Sequence, residues 1–536
     1  QIKKSNKMLF ISPEICEGCG DCGVQSNCTS LYPLKTNEGV KRVIDQTSCN
    51  NDESCLKGFC PSFISISGKK KIVSNPIDID TELFSKLKEP KFINTYSRDY
   101  NVLIVGIGGT GVITLSAIIG MASHIENKKI SVLDMTGMSQ KNGSVSSHLR
   151  FYSDHNNIGS QRIPDGHLDL LLSYDLLGIS DQNITNKINH NRTNIVLNSN
   201  QQPTGHFAQD ETKFVEMDSF KTLSKNLTKN KINFINTTAI AEKLTGNTMA
   251  SNLFMLGFSV QKSLLPIQPE SILKAIELNA VQVKMNSLAF NWGRIYAEFP
   301  EEVHSQIQFR VNNDNLPEKD KVESRYQKLI TYHDQKYAEK YKIEINKFKP
   351  SLNNDEIEYL SASLYKIMAF KDEYEVARLL SSKNLLSTIE EKLESGFSYE
   401  FNISPNFLRF FNKKNYKKIS ISSNFKFIFT ILSKLKFLRF SFFDPFKNSP
   451  DRKLEKNLFN HYLTVVDFLV SNYDKYSEQD RAFILSHPQE IKGFGHVKLQ
   501  KAKHTFNKLK NILEINKNEN LGKIGNQINF LYKLCN

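Results

Sequence analysis

No run of about 18 apolar residues free of charge occurs in the 536-residue chain, which excludes a conventional membrane-spanning helix. The nearest approach is NFKFIFTILSKLKFLRFSFF at 424–443. Lys426, Lys434, Lys436 and Arg439 interrupt it, and it reads as a buried amphipathic helix whose lysines reach outward. Histidine is missing until His124, and only one of the eight cysteines, Cys535, lies outside residues 16–60. The opening QIKKSNKMLF does not begin with methionine and carries no secretory signal, which suggests a piece of a longer polypeptide. Cysteines clustered in a long chain without a signal point to metal ligation in a reducing, cytoplasmic compartment and away from disulfides. The net charge of +14 is concentrated at the end, where residues 401–536 carry 24 Lys and Arg against 10 Asp and Glu. That excess could steer an acidic partner. The abundance of Lys, Asn and Ile explains it better as the residue bias of an AT-rich genome, and neither nucleic acid nor membrane is expected as a partner.

What is present begins with CEGCGDCGVQSNC at 16–28. Cys16, Cys19 and Cys22 stand in C-x2-C-x2-C spacing, which lets three thiolates wrap one face of a cubane cluster; the fourth ligand usually arrives as Cys-Pro. Cys60-Pro61 supplies that pair. Gly18, Gly20 and Gly23 suit backbone that curls around sulfur and points N–H groups at it. Zinc sites use two separated hooks or a Cys/His mixture, so the triple spacing without histidine favours one or two [4Fe–4S] clusters. Cys28, Cys49 and Cys55 remain for a second cluster, one thiolate short, with its fourth ligand open.

The length suggests roughly two to four domains. The expected fold class is a multidomain α/β protein: a small ferredoxin-like iron–sulfur module at 1–68, a linker at 69–100, a Rossmann-like parallel-sheet domain at 101–312 and a mainly helical C-terminal domain at 313–536. In the third segment, YNVLIVGI, KKISVLDMTGM, LDLLLSYD, TNIVLNS and INFINTT read as strands alternating with helices. LPIQPESILKAIELNAVQVKMNSLAFNWGRIYAEF reads as one long helix begun by Pro266 and Pro269. Apolar residues three and four apart make the remainder helical.

VLIVGIGGTG places Gly106, Gly108 and Gly111 in G-x-G-x-x-G register between a strand and a helix, the context in which backbone N–H groups cradle phosphate. Asp134 ends the second strand, near where a ribose-binding acid belongs. LDMTGMSQKNGSVSSHLRF, at 133–151, reads as a polar loop offering Lys141, His148 and Arg150 to anions.

Together these segments resemble the 2-oxoacid:ferredoxin oxidoreductases, specifically the large fused indolepyruvate ferredoxin oxidoreductase type. The resemblance rests on the cysteine runs, GIGGTGVIT, GMSQKNGSVSSHLR, AFKDEYEVARL at 369–379 and GFGHVK at 493–498. It implies oxidative decarboxylation of an aryl or aliphatic 2-oxoacid to an acyl-CoA, with electrons passing through iron–sulfur clusters to ferredoxin and coenzyme A as co-substrate. It also implies a homodimer. Thiamine diphosphate and magnesium belong to N-terminal domains carrying G-D-G, and no G-D-G occurs here. The fragment is therefore expected not to decarboxylate by itself. By the same resemblance Gly106, Gly108, Gly109 and Gly111, with Gln140, Lys141 and His148, form a gamma-type cofactor surface, and His496 belongs to a structural loop. Two rivals remain: a nicotinamide- or flavin-linked iron–sulfur subunit using Asp134, and an adenylating enzyme of the ubiquitin-activating type.

Overall fold

Residues 100–107 (YNVLIVGI) are buried along their whole length, as a strand covered on both faces requires. This strand, β5, centres one of two units in the computed structural model, Ile72–Asn315; the other combines Gln1–Lys71 with Leu316–Asn536. The structure describes residues 7–28, 30–46, 49–68, 76–79, 81–91, 98–109, 111–137, 144–153, 159–176, 179, 181–200, 226–230, 232–311, 321–390, 396–403, 418–439, 441–448, 450–513 and 522–535.

In chain order the described strands are β1 (Lys7–Ile11), β2 (Leu31–Thr36), β3 (Gly39–Ile44), β4 (Phe63–Ser67), β5 (Tyr100–Ile107), β6 (Ile130–Thr136), β7 (Ser144–Phe151), β8 (Leu170–Ser173), β9 (Asn194–Asn198), β10 (Ile232–Ile235), β11 (Ser398–Ile403) and β12 (Ile419–Ser422). The α/β unit holds a six-stranded sheet in the order β10-β9-β8-β5-β7-β6. β10, β9, β8 and β5 run parallel, as the alternating pattern predicts. β7 is inserted antiparallel between β5 and β6.

The inserted strand corrects the expected polar loop at 133–151. SVSSHLRF alternates well enough to pair on both sides, and all but the first few of its residues are buried. The expected linker is corrected as well. Ile77, Ile79, Leu83, Phe84 and Leu87 pack against the α/β core, and Trp292 donates its indole N–H to the Ile77 carbonyl at 2.9 Å. The single long helix is in fact two, Pro269–Asn279 and Val283–Glu298, parted where Ala280 and Gln282 adopt φ of 57° and 43°. Neither residue is a glycine, so composition carried no sign of the break.

Helices Ser251–Gln261 and Val283–Glu298 cross at two glycines. A Cβ on Gly257 would lie 1.9 Å from the Phe290 carbonyl oxygen, and one on Gly293 would lie 1.9 Å from that of Phe254. Backbone meets backbone there, so neither side can yield.

The second unit corrects the expected partition into a free-standing 1–68 module and a helical 313–536 domain. Its four-stranded antiparallel sheet has the order β1-β4-β11-β12, so strands from both ends of the chain share one sheet. The two C-terminal strands were not visible in the helical periodicity. The sheet separates two cores by simple alternation. Leu9, Ile11 and Phe63 face the cysteines together with the β2–β3 hairpin, while Met8, Phe10, Ile64 and Ile66 face helices including Glu373–Leu380 and Lys426–Lys434. The second of these helices corrects the buried-helix reading of 424–443. Phe429 is buried, whereas Phe427, Ile428, Ile431 and Phe437 are exposed. Among the described residues no helix is long and apolar enough to cross a membrane.

A buried ion network anchors the helices of this unit. Asp372 caps Glu373–Leu380 and takes a bidentate contact from Arg439, at 2.6 and 2.9 Å, and a third bond from Arg452 at 2.7 Å. Arg439 also stacks 3.8 Å over the Tyr332 ring.

Two outcomes follow. Gly257→Ala is expected to cost about 3 kcal/mol by forcing the helices apart. Fluorescence of Trp292, the only tryptophan and fully buried beside this crossing, reports it as a lower denaturation midpoint; an unchanged midpoint contradicts the packing. Asp372→Ala takes the bidentate carboxylate from the buried Arg439 and leaves Arg452 only Glu373 and Asp444, at 3.0 and 3.9 Å; it is expected to cost about 3–5 kcal/mol, read by far-ultraviolet circular dichroism during denaturation.

Candidate metal centre

Cys16 follows a turn closed by its own N–H to the Ser12 carbonyl, and the chain then bends back through Gly18 at φ 70°. A Cβ on Gly18 would lie 2.0 Å from the Val40 carbonyl oxygen, so the loop needs glycine to lie against β3. The result aims two backbone N–H groups at the Cys16 sulfur, from Gly18 at 3.3 Å and from Arg42 at 3.4 Å. Cys22 sits in the short helix Asp21–Ser26, and Cys60 leaves the turn that leads into β4.

The seven cysteines fall into two groups by mutual electrostatic influence. Burial pushes the Cys16 thiol up, and Cys60 adds to it. Burial and then Cys60 push Cys19 up to about 12, and burial followed by Cys60, Cys16 and Cys19 raises Cys22. Burial also lifts Cys55 to about 12, but there the neighbours are Cys28 and Cys49. Sequence spacing puts Cys16, Cys19, Cys22 and Cys60 in one expected set and Cys28, Cys49 and Cys55 in another. Both line one apolar core with Leu9, Ile11 and Phe63. Among the described residues no three His, Cys, Asp or Glu side chains are gathered tightly enough to hold a single metal ion. Buried soft thiols with backbone N–H groups aimed at sulfur suit thiolate ligation of a metal centre.

The C-terminal half supplies contacts that sequence reasoning missed. Lys371, in AFKDEYEVARL, donates to the carbonyls of Ile15 and Cys16 at 3.2 and 3.1 Å and pairs with Glu17 at 3.2 Å. Burial alone would raise the Glu17 carboxyl, but Lys371 and Lys366, with Lys498 and Lys41 beyond, hold it well below the usual range. Burial brings the Lys366 ammonium down to about 7. These groups border a cavity of about 650 Å³. GFGHVK packs against the same loop: a Cβ on Gly493 would lie 3.2 Å from that of Cys19, and the His496 ring lies 4.8 Å from that of Phe59. Lys498 meets Glu455 at 2.5 Å, both buried. A cationic residue in a helical run gives no sequence signal for such contacts; only the fold brings them to the cysteines.

The glycine turn holds its expected place between β5 and the helix Val112–Ile125. Gly109 and Gly111 have φ of 92° and 83°, with open space beside Gly109 and the Asn252 amide against Gly111. Gly106 lies within β5 and Gly108 in the turn. Asp134 accepts from Ser116 at 2.8 Å and Ser147 at 2.5 Å, tying the helix to β7. Both hydroxyls meet the same carboxylate oxygen, and Asp134 is exposed. Arg150 is bound to Asn101 at 3.0 Å and Asp99 at 3.2 Å and is not offered to an anion. His148 pairs opposite Leu103, four positions and roughly 13 Å along the strand from Ile107. It accepts the Ile163 N–H at 3.3 Å, and burial with Lys187 and Arg162 nearby lowers it to about 4. Gln140 and Lys141 lie outside the described residues.

Residues 101–296 match the family model described as pyruvate ferredoxin/flavodoxin oxidoreductase. Residues 319–510 match a family of unknown function, DUF6537. The chain is 27% identical over 198 residues to indolepyruvate oxidoreductase subunit IorB of Methanothermobacter thermautotrophicus, covering 36% of this chain and 96% of the relative. It is 26% identical over 203 residues to the subunit of the same name from Pyrococcus horikoshii, covering 37% and 95%. Pyruvate oxidoreductase subunit PORC of Thermotoga maritima aligns at 16% identity and a TM-score of 0.28, covering 37% of this chain and 96% of that one.

Within the oxidoreductase domain, His148 is neutral when folded and protonates below about 6.5 when unfolded, so its burial stabilises at neutral pH and that stability is lost as pH falls from 6.5 toward 4. The Trp292 denaturation midpoint is expected to drop across that window, and His148→Asn is expected to flatten the drop. Identical pH profiles for both proteins contradict the assignment.

Proposed function

We propose that this chain is the electron-relay and gamma-type portion of a 2-oxoacid:ferredoxin oxidoreductase acting on an aryl pyruvate. The reading rests on the four-plus-three grouping of the cysteines beside an oxidoreductase domain whose relatives carry the name indolepyruvate oxidoreductase. In the overall reaction a 2-oxoacid and coenzyme A give carbon dioxide and an acyl-CoA, and two electrons pass singly to ferredoxin. Thiamine diphosphate domains, on another subunit or another part of the polypeptide, carry the bond breaking.

Cys16, Cys19, Cys22 and Cys60 are the ligands for one cluster, and Cys28, Cys49 and Cys55 for part of a second. Such clusters, once bound, supply one-electron storage and transfer. The chain's own work is to hold and tune the ligands. Gly18 and Arg42 direct N–H groups at the Cys16 sulfur. Lys371 fixes the loop carbonyls on either side of that ligand position. Leu9, Ile11 and Phe63 exclude water from the shared core. The glycine turn with open space at Gly109 is the surface on which the oxidoreductase domain meets coenzyme A or the thiamine-bearing domains.

Anaerobic reconstitution with iron and sulfide tests the reading. About seven or eight iron atoms per chain are expected, with sulfide in matching amount. Cys16→Ala is expected to remove one reduced-state EPR signal and Cys55→Ala the other. About one zinc and no sulfide overturns the proposal.

A further inference from the structure

Lys418 immediately precedes the last strand of the cysteine-bearing sheet and comes from the segment that matches the family of unknown function. Although the residue as a whole is half-buried, its ammonium is buried and has no hydrogen-bond partner among the described residues. Other buried cationic atoms without hydrogen bonds, on Arg192 and Arg325, lie 3.0 and 3.7 Å from the carboxylates of Asp169 and Glu38. Among the described residues Lys418 has no carboxylate at such a distance. Its nitrogen lies 4.3 Å from the centre of the Phe63 ring, and Phe63 sits in the apolar core shared by both cysteine sets. Burial pushes the ammonium down, and the charges that oppose this are, strongest first, Cys60 and Cys22 of the first set, Cys55 of the second, and Asp21. Asp21 is already committed, accepting the Phe59 N–H at 2.7 Å and the Gln25 amide at 3.3 Å.

A lone ammonium in apolar surroundings is strongly unfavourable, and an aromatic face offsets only a small part of that cost. What suits the position is an anion at the cysteines. A thiolate-ligated iron–sulfur cluster is a net anion, and taking up one electron makes it one charge more negative. We propose that Lys418 is the counter-charge of both cysteine sets: lodged over Phe63 beside Cys22, Cys60 and Cys55, it favours the reduced clusters and raises the potential at which each accepts an electron. No bond forms or breaks at Lys418. The electron comes from the oxoacid side of the reaction and leaves to the acceptor, and the ammonium stays in place throughout. The inference rests on the cluster reading given above. It also gives the C-terminal segment a definite role, because that segment adds a positive charge beside the cysteines to that of Arg42.

The test compares the full chain with Lys418→Met and Lys418→Arg after anaerobic reconstitution, reading iron and sulfide per chain and the midpoint potentials by EPR-monitored titration. Lys418→Met is expected to shift the oxidised-to-reduced ratio at fixed potential about tenfold toward oxidised in at least one cluster, equal to about 59 mV for a one-electron couple. Lys418→Arg is expected to keep the wild-type potentials. If Lys418→Met fails to take up a full complement of iron, Lys418→Gln supplies the same comparison. Wild-type protein that loads and whose potentials are unmoved in the uncharged variants overturns the role of Lys418 while leaving the clusters standing. Wild-type protein that takes up no iron and sulfide overturns both.

Discussion

Strand β4 is the constraint on which the cysteine-bearing unit depends. It emerges directly from Cys60-Pro61, pairs with β1 on one side and takes β11 on the other, so that Phe63 and Asn402, 339 positions apart, become neighbours. Because a strand turns alternate residues to opposite faces, this placement divides the unit into a thiol-bearing core and an all-apolar one. Phe63 belongs to the first and Ile64 to the second. Long-range pairing of this kind makes the cysteine loops and the C-terminal helices one structural problem.

That arrangement explains why two short C-terminal runs look distinctive without any chemistry of their own. AFKDEYEVARL places Lys371 on the Cys16 loop and Asp372 in a buried network with Arg439 and Arg452, so adjacent residues serve the cysteine loop and the helical packing. GFGHVK sets glycine backbone against Cys19 and the His496 ring against Phe59. Glu17 lies among Lys371, Lys366, Lys498 and Lys41, and the ammonium of Lys418 lies over Phe63 in the core that the thiols line. A buried anionic centre is stable only in such company.

Local chemistry was legible in the sequence, and tertiary assembly was not. The strand–turn–helix around Gly108 to Gly111 and the strands that became β8, β9 and β10 follow from spacing and periodicity that act over a few residues. β7 was missed because serine-rich alternation looks like a loop until two neighbours bury it. β11 and β12 were missed because strands of six and four residues amid helical periods carry too little pattern. The break at Ala280 was hidden because left-handed backbone at alanine has no compositional sign. His148 and Arg150 illustrate the converse error. Polar residues that looked available to a ligand are consumed by Ile163, Asn101 and Asp99.

The joint construction of the cysteine core by both ends of the chain is tested most directly by native-state hydrogen exchange in the full-length protein. Amides of β4 and β11 belong to one sheet and are expected to be protected together, opening as a single cooperative unit. Protection of β4 with exchange of β11 at the rate of an open loop would contradict the account.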